Sequence, residues 1–91
     1  MMNDPFVIEQ SKLWAESLVK DVLSTEQRIK AIYLQAFGRE PSEVEAEKAQ
    51  AFIKTQANAL KVNDEDIESN VAVWQDFCHI VFNLKEFIYI N

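Results

Sequence analysis

The sequence predicts an all-α protein: a small four-helix up-down bundle that ends in a short C-terminal turn or helix. Three observations support this fold class. The 91 residues include one glycine and two prolines, which is far below average usage and indicates long elements with short connections. Apolar residues recur three and four positions apart over most of the chain, as in amphipathic helices. Two serines stand three residues before a glutamine or glutamate, which is the spacing of a capping box at a helix start.

The first helix is predicted from about residue 5 to residue 23. Asp4 supplies a capping carboxylate, and Pro5 follows at the first helical position, where its missing N–H costs nothing. From Gln10 onward the apolar residues follow helical spacing, and polar residues occupy the opposite side.

The second helix is predicted to begin at Ser24 or Thr25 and to end at Gly38. It carries the clearest helical series in the chain: Ile29, Ile32, Tyr33, Ala36 and Phe37. Gly38 stands where a left-handed residue ends a helix at the lowest cost. Pro41 disfavours a helical conformation at the preceding residue, so the chain must turn a corner here.

Two further helices are predicted after this corner. Ser42 and Glu45 are predicted to cap the third helix, which should end near Lys61. Residues 63–66 are predicted as a polar loop and the acidic start of a fourth helix over about residues 66 to 82. A turn and a short apolar segment should follow at residues 84–91. The fourth helix is apolar on two faces, so we expect it to be the most buried, with Trp74 and Cys78 packed against Trp14, Tyr33, Phe37 and Phe52.

Net charge and the distribution of apolar residues argue against several classes of partner and location. The net charge is −6, from nine basic and fifteen acidic residues, and no basic stripe occurs, so nucleic-acid binding is not expected. No run of 18 apolar residues is present, so membrane insertion is not expected either. The N-terminus lacks the basic and apolar regions of a signal peptide. We therefore expect either a cytoplasmic protein or a piece of a longer chain.

Residue chemistry predicts no catalytic residue, no metal site and no cofactor in this chain, and hence no enzyme activity of its own. Cys78 and His79 are adjacent on a helix, so their side chains point about 100° apart and cannot act together. Asp76 and His79 have the spacing of half a carboxylate–histidine metal pair, but the chain contains no second histidine. Residues 63–66 lack the glycine and the closing glutamate of a calcium loop.

The C-terminal part carries more large apolar residues than a short domain normally leaves at its end. The candidate interaction surface comprises Val73, Ile80, Leu84, Phe87, Ile88 and Tyr89. These residues either close the core of this domain or contact a neighbour, and the sequence leaves both interpretations open. The corner residues are interpreted as structural stops and caps: Gly38, Pro41, Ser42 and Glu45.

Three blocks of the chain resemble one family. The first is Asn-Asp-Pro-Phe-Val-Ile-Glu-Gln at residues 3–10. The second runs from Arg28 to Glu45 and includes Tyr33-Leu34 and Gly38-Arg39-Glu40-Pro41. The third is Asp-Phe-Cys-His at residues 76–79, followed by Phe-Asn at 82–83 and Glu-Phe-Ile-Tyr at 86–89. The sequence resembles the C-terminal domain of unknown function of large planctomycete proteins that also carry cytochrome-c-like modules.

The length of 91 residues leaves room for a single helical domain, and the resemblance implies that this domain is a C-terminal fragment of a larger exported or periplasmic protein. It places haem elsewhere in that parent protein, since this chain has no Cys-x-x-Cys-His attachment motif. We expect a non-catalytic accessory or interaction domain that binds the rest of the parent protein or another protein. Two alternatives stay open. The chain is part of the wall of an enzyme site whose catalytic residues lie elsewhere in the parent, or it is a free-standing cytoplasmic adaptor that homodimerises.

Overall fold

The computed structural model describes the backbone of residues 4–90 and the side chains of residues 4–84. The regular elements in this range are α1 (Pro5–Leu18), α2 (Thr25–Phe37), α3 (Glu43–Ala59), a short 3₁₀ helix (Asp64–Ser69) and α4 (Val71–Ile90). The predicted all-α class is confirmed, with four long helices and one short one.

Local capping chemistry fixes where the first three helices begin, as the sequence predicts. The carboxylate of Asp4 accepts a hydrogen bond from the Phe6 N–H at 2.8 Å, with Pro5 at the first helical position. The Ser24 hydroxyl accepts from the Gln27 N–H at 3.1 Å, and the Gln27 side chain accepts from the Ser24 N–H at 3.0 Å. Each of these bonds satisfies an N–H that has no partner inside the helix.

The end of α1 differs from the prediction. α1 stops at Leu18, five residues before the predicted end at residue 23. The Asp21 N–H donates to the Leu18 carbonyl at 3.2 Å, and Val22, which the sequence assigns to the helix, is fully exposed. The Asp21 carbonyl accepts from Arg28 of α2 at 2.8 Å, so a tertiary contact satisfies it in the loop that follows α1.

α4 differs from the prediction at both ends. It begins at Val71 and not at residue 66, because the side-chain oxygen of Asn70 caps it by accepting from the Val73 N–H at 3.1 Å. The acidic residues before it belong to the separate 3₁₀ helix. The predicted turn at residue 84 does not occur, and α4 continues to Ile90, since no glycine or proline interrupts this stretch.

The core lies where α4 meets the other helices. Among the described side chains, α4 contributes more buried core residues than any other helix: Val73, Trp74, Phe77, Cys78 and Val81. This confirms that α4 is the most buried element. α1 packs along α4 more extensively than any other pair of elements does.

The aromatic residues predicted to surround Trp74 and Cys78 meet in the core. Trp14 meets Phe82 edge to face with 5.3 Å between ring centroids, and Phe52 lies 6.1 Å from Phe77. Trp74 is fully buried and donates its indole N–H to the Ile67 carbonyl at 2.9 Å. Tyr33 lies in the same buried core cluster as Trp74 and Cys78, and Trp14, Phe37 and Phe52 pack against that cluster, as predicted.

Candidate docking groove

The corner between α2 and α3 is built from the residues that the sequence identifies. Gly38 adopts the left-handed conformation with φ 70°, and its N–H donates to the Leu34 carbonyl at 3.0 Å. The Ser42 hydroxyl accepts from the Glu45 N–H at 3.2 Å, and Glu45 accepts from the Ser42 N–H at 2.9 Å. Pro41 is half-buried between them. These residues stop one helix and start the next.

Arg39 and Glu45 add an ion pair to this corner. The Arg39 guanidinium donates to both oxygens of the Glu45 carboxylate, at 2.7 and 2.9 Å. These bonds, followed by the Ser42 N–H, lower the pKa of Glu45 to about 2. The guanidinium carbon also lies 5.8 Å from the ring centroid of Tyr33 and 6.0 Å from that of Phe37. Arg39 is therefore engaged on the protein surface and does not project freely from the corner.

Beside this corner, an apolar groove of about 430 Å³ runs between α3 and α4 and reaches α2. We call it the α3–α4 groove. Its lining residues are Tyr33, Glu45, Lys48, Ala49, Phe52, Phe77, Ile80, Val81 and Leu84. Leu84 is 48% exposed at its edge. The carboxylate of Glu45 is paired with Arg39 through both of its oxygens. The other charged group in the lining is the ammonium of Lys48.

The predicted interaction residues fall into three groups. Val73 is fully buried and cannot contact a partner, because it lies on the side of α4 that packs into the core. Ile80 is half-buried and Leu84 is exposed, and both line the α3–α4 groove. Phe87, Ile88 and Tyr89 lie outside the described side chains.

Cys78 is buried, and its polar neighbours Asp76 and His79 each contact other residues. Cys78 is fully buried, and desolvation raises the pKa of its thiol to about 12, so the thiol stays protonated at neutral pH. Asp76 is half-buried and accepts a hydrogen bond from the Gln56 amide at 2.7 Å. The His79 carbonyl accepts from the Asn83 amide at 2.9 Å. Across residues 4–84, no three His, Cys, Asp or Glu side chains come close enough to share a metal ion.

Arg28 is the residue that sequence reasoning missed. It is fully buried, with its guanidinium carbon 4.9 Å from the ring centroid of Trp74. It donates to the carbonyl of Asp21 at 2.8 Å and to that of Glu68. Arg28 thereby joins the α1–α2 loop to the 3₁₀ helix. The sequence feature that could have indicated this role is the position of Arg28. It begins the second resembling block and directly precedes the apolar series of α2.

A known family matches the N-terminal part of the chain. The family of proteins of unknown function PSD1 (DUF1553) matches residues 1–53, which is more than half of the chain. The chain belongs to this family. The PSD1 match includes the first two resembling blocks, so it contains α1, α2, the corner and the first part of α3. The third block, at residues 76–89, lies beyond it.

No curated protein and no solved structure matches the chain. The PSD1 family itself is described as one of unknown function, so membership assigns no activity or site. None of the helices in the described part of the chain is long and apolar enough to cross a membrane.

Proposed function

We propose that this PSD1 chain is a non-catalytic helical interaction domain of a larger protein, and that it docks onto the rest of that protein through the α3–α4 groove. The observation that carries the proposal is the groove itself, an apolar surface with the half-exposed Leu84 at its edge. Its volume suits the insertion of one or two large side chains, which is how interaction hot spots are built.

The arrangement of the helices supports a rigid platform for such docking. Phe52 of α3 meets Phe77 of α4, while Glu45 near the start of α3 lines the groove with Leu84. Trp14 of α1 pairs with Phe82, toward the end of α4. α3 therefore runs antiparallel to α4, and so does α1, since Asp21 after the end of α1 is joined through Arg28 to Trp74 near the start of α4. We infer that the four long helices form the up-down bundle expected from the sequence, because α1 and α3 both run antiparallel to α4 and short connections join α1 to α2 and α2 to α3.

The occupant we propose is the remainder of the parent protein. The resemblance to planctomycete proteins with cytochrome-c-like modules supports the proposal of a large, exported parent. Haem would belong to the parent and not to this chain: its one cysteine, Cys78, is fully buried beside the one histidine, His79. These residues do not fit a covalent haem site, which needs two accessible thiols and an adjacent ligand.

The buried chemistry is consistent with a non-catalytic role. The Cys78 thiol is protonated and inaccessible, so it cannot act as a nucleophile. Near the groove, Arg39 donates to the Glu45 carboxylate, which also accepts from the Ser42 N–H. They stabilise the corner that forms one end of the groove.

The test compares two matched substitutions. Leu84 is 48% exposed in the groove, and Leu34 of α2 is 51% exposed outside it. The domain is titrated into the remaining part of its parent protein by isothermal calorimetry, as wild type, Leu84→Glu and Leu34→Glu. We expect binding by the wild type, about tenfold weaker binding by Leu84→Glu and little change for Leu34→Glu, because only the first places a carboxylate in the apolar interface.

The outcomes separate the alternatives. Absence of binding by the wild type, or equal loss in both variants, would contradict docking through the groove. If light scattering instead finds a dimer that Leu84→Glu dissociates, the occupant is a second copy of the chain. If Leu84→Glu lowers the turnover of the full-length protein without weakening docking, the groove belongs to the wall of an enzyme site.

A further inference from the structure

We draw no further inference here: the strongest candidate, a specific partner chemistry for the α3–α4 groove, belongs to the site already described and nothing in the structure shows what covers it, since Lys48 at the groove favours an acidic partner whereas the net charge of −6 favours a basic one.

Discussion

Arg28 is a fully buried cation that is held mainly by neutral groups. Two main-chain carbonyls accept from its guanidinium, the Trp74 ring lies against it, and its Nε has no hydrogen-bond partner among the described residues. Desolvation lowers the pKa of Arg28, while the charges of Glu68 and Asp21 act in the opposite direction. A planar fork that reaches two carbonyls and stacks on an indole is a geometry that lysine cannot reproduce.

Arg28→Lys is therefore expected to lower the free energy of unfolding by about 2 kcal/mol, because one carbonyl loses its donor and the ammonium stays buried. Arg28→Ala should cost about 3 kcal/mol or more, since it also leaves a cavity against Trp74. Urea denaturation measures both. Lys30→Ala, on the exposed side of the same helix, is the control and should change stability by less than about 0.5 kcal/mol. A Lys variant as stable as the wild type would show that the fork is dispensable.

The Arg39–Glu45 pair predicts a pH dependence. The pKa of Glu45 falls from an ordinary 4.5 to about 2 in the folded protein. A carboxyl whose folded pKa is depressed stabilises the fold above its unfolded pKa, and this contribution is lost as pH falls toward the folded pKa. The melting temperature of wild type should thus exceed that of Glu45→Gln above about pH 5. This difference should shrink between about pH 4.5 and pH 2.

Glutamine at position 45 can still accept from the Ser42 N–H, so Glu45→Gln removes the ion pair and keeps the capping box. Glu43→Gln is the matched control, since Glu43 lies in the same helical turn and is exposed. Thermal melts by circular dichroism across the pH range distinguish them. An equal pH profile for both variants would assign the effect to the helix dipole and not to Arg39.

At the scale of elements, the sequence predicts starts better than ends. The starts of α2 and α3 depend on a serine followed three residues later by glutamine or glutamate, a local pattern that is visible in the sequence. The end of α1 depends on Arg28, whose partners come from residues 7 and 40 positions away, so no local pattern encodes it. α4 was predicted to begin in the acidic stretch because acids favour helix starts, yet Asn70 supplies the cap.

The same limit applies to the candidate site. Sequence periodicity identifies Ile80 and Leu84 as apolar residues beyond a single helix face, and both line the α3–α4 groove. It cannot tell that Val73 is covered, because that depends on how α4 is rotated against the other helices. The far wall of the groove, from α2 and α3, requires the tertiary packing.

The two helix ends with positive φ give a paired prediction. Gly38 has φ 70°, and a Cβ added there would meet nothing within 4 Å, so Gly38→Ala should cost about 1 kcal/mol from backbone strain alone. Gly38→Asn should cost less, since asparagine tolerates this conformation better. Lys61, after α3, has φ 59°, so Lys61→Gly should stabilise by about 0.5–1 kcal/mol. Urea denaturation should show a lower free energy of unfolding for Gly38→Ala and a higher one for Lys61→Gly. A change in the same direction for both variants would contradict the prediction.

At the scale of the whole molecule, the antiparallel packing of α1 on α4 bears on what the C-terminal residues do. The Trp14 ring contacts the Phe82 ring. Arg28 contacts both the Asp21 carbonyl, just after α1, and the Trp74 ring, near the start of α4. Val7 precedes Trp14 by about two helical turns and is only 3% exposed. Two turns beyond Phe82 still fall within α4, so we expect the last part of this helix to cover Val7.

Truncation after Phe82 is therefore expected to lower the melting temperature by about 5–10 °C, since exposing Val7 costs about 1.5 kcal/mol. Calorimetry of the full and truncated chains measures this, and Val7→Ala in both backgrounds locates the cause. If the end of α4 covers Val7, the substitution should destabilise the full chain and have little effect on the truncated one, because the two changes remove the same contact. An unchanged melting temperature on truncation would show that residues 83–91 do not close this core, which would leave their apolar side chains to a partner.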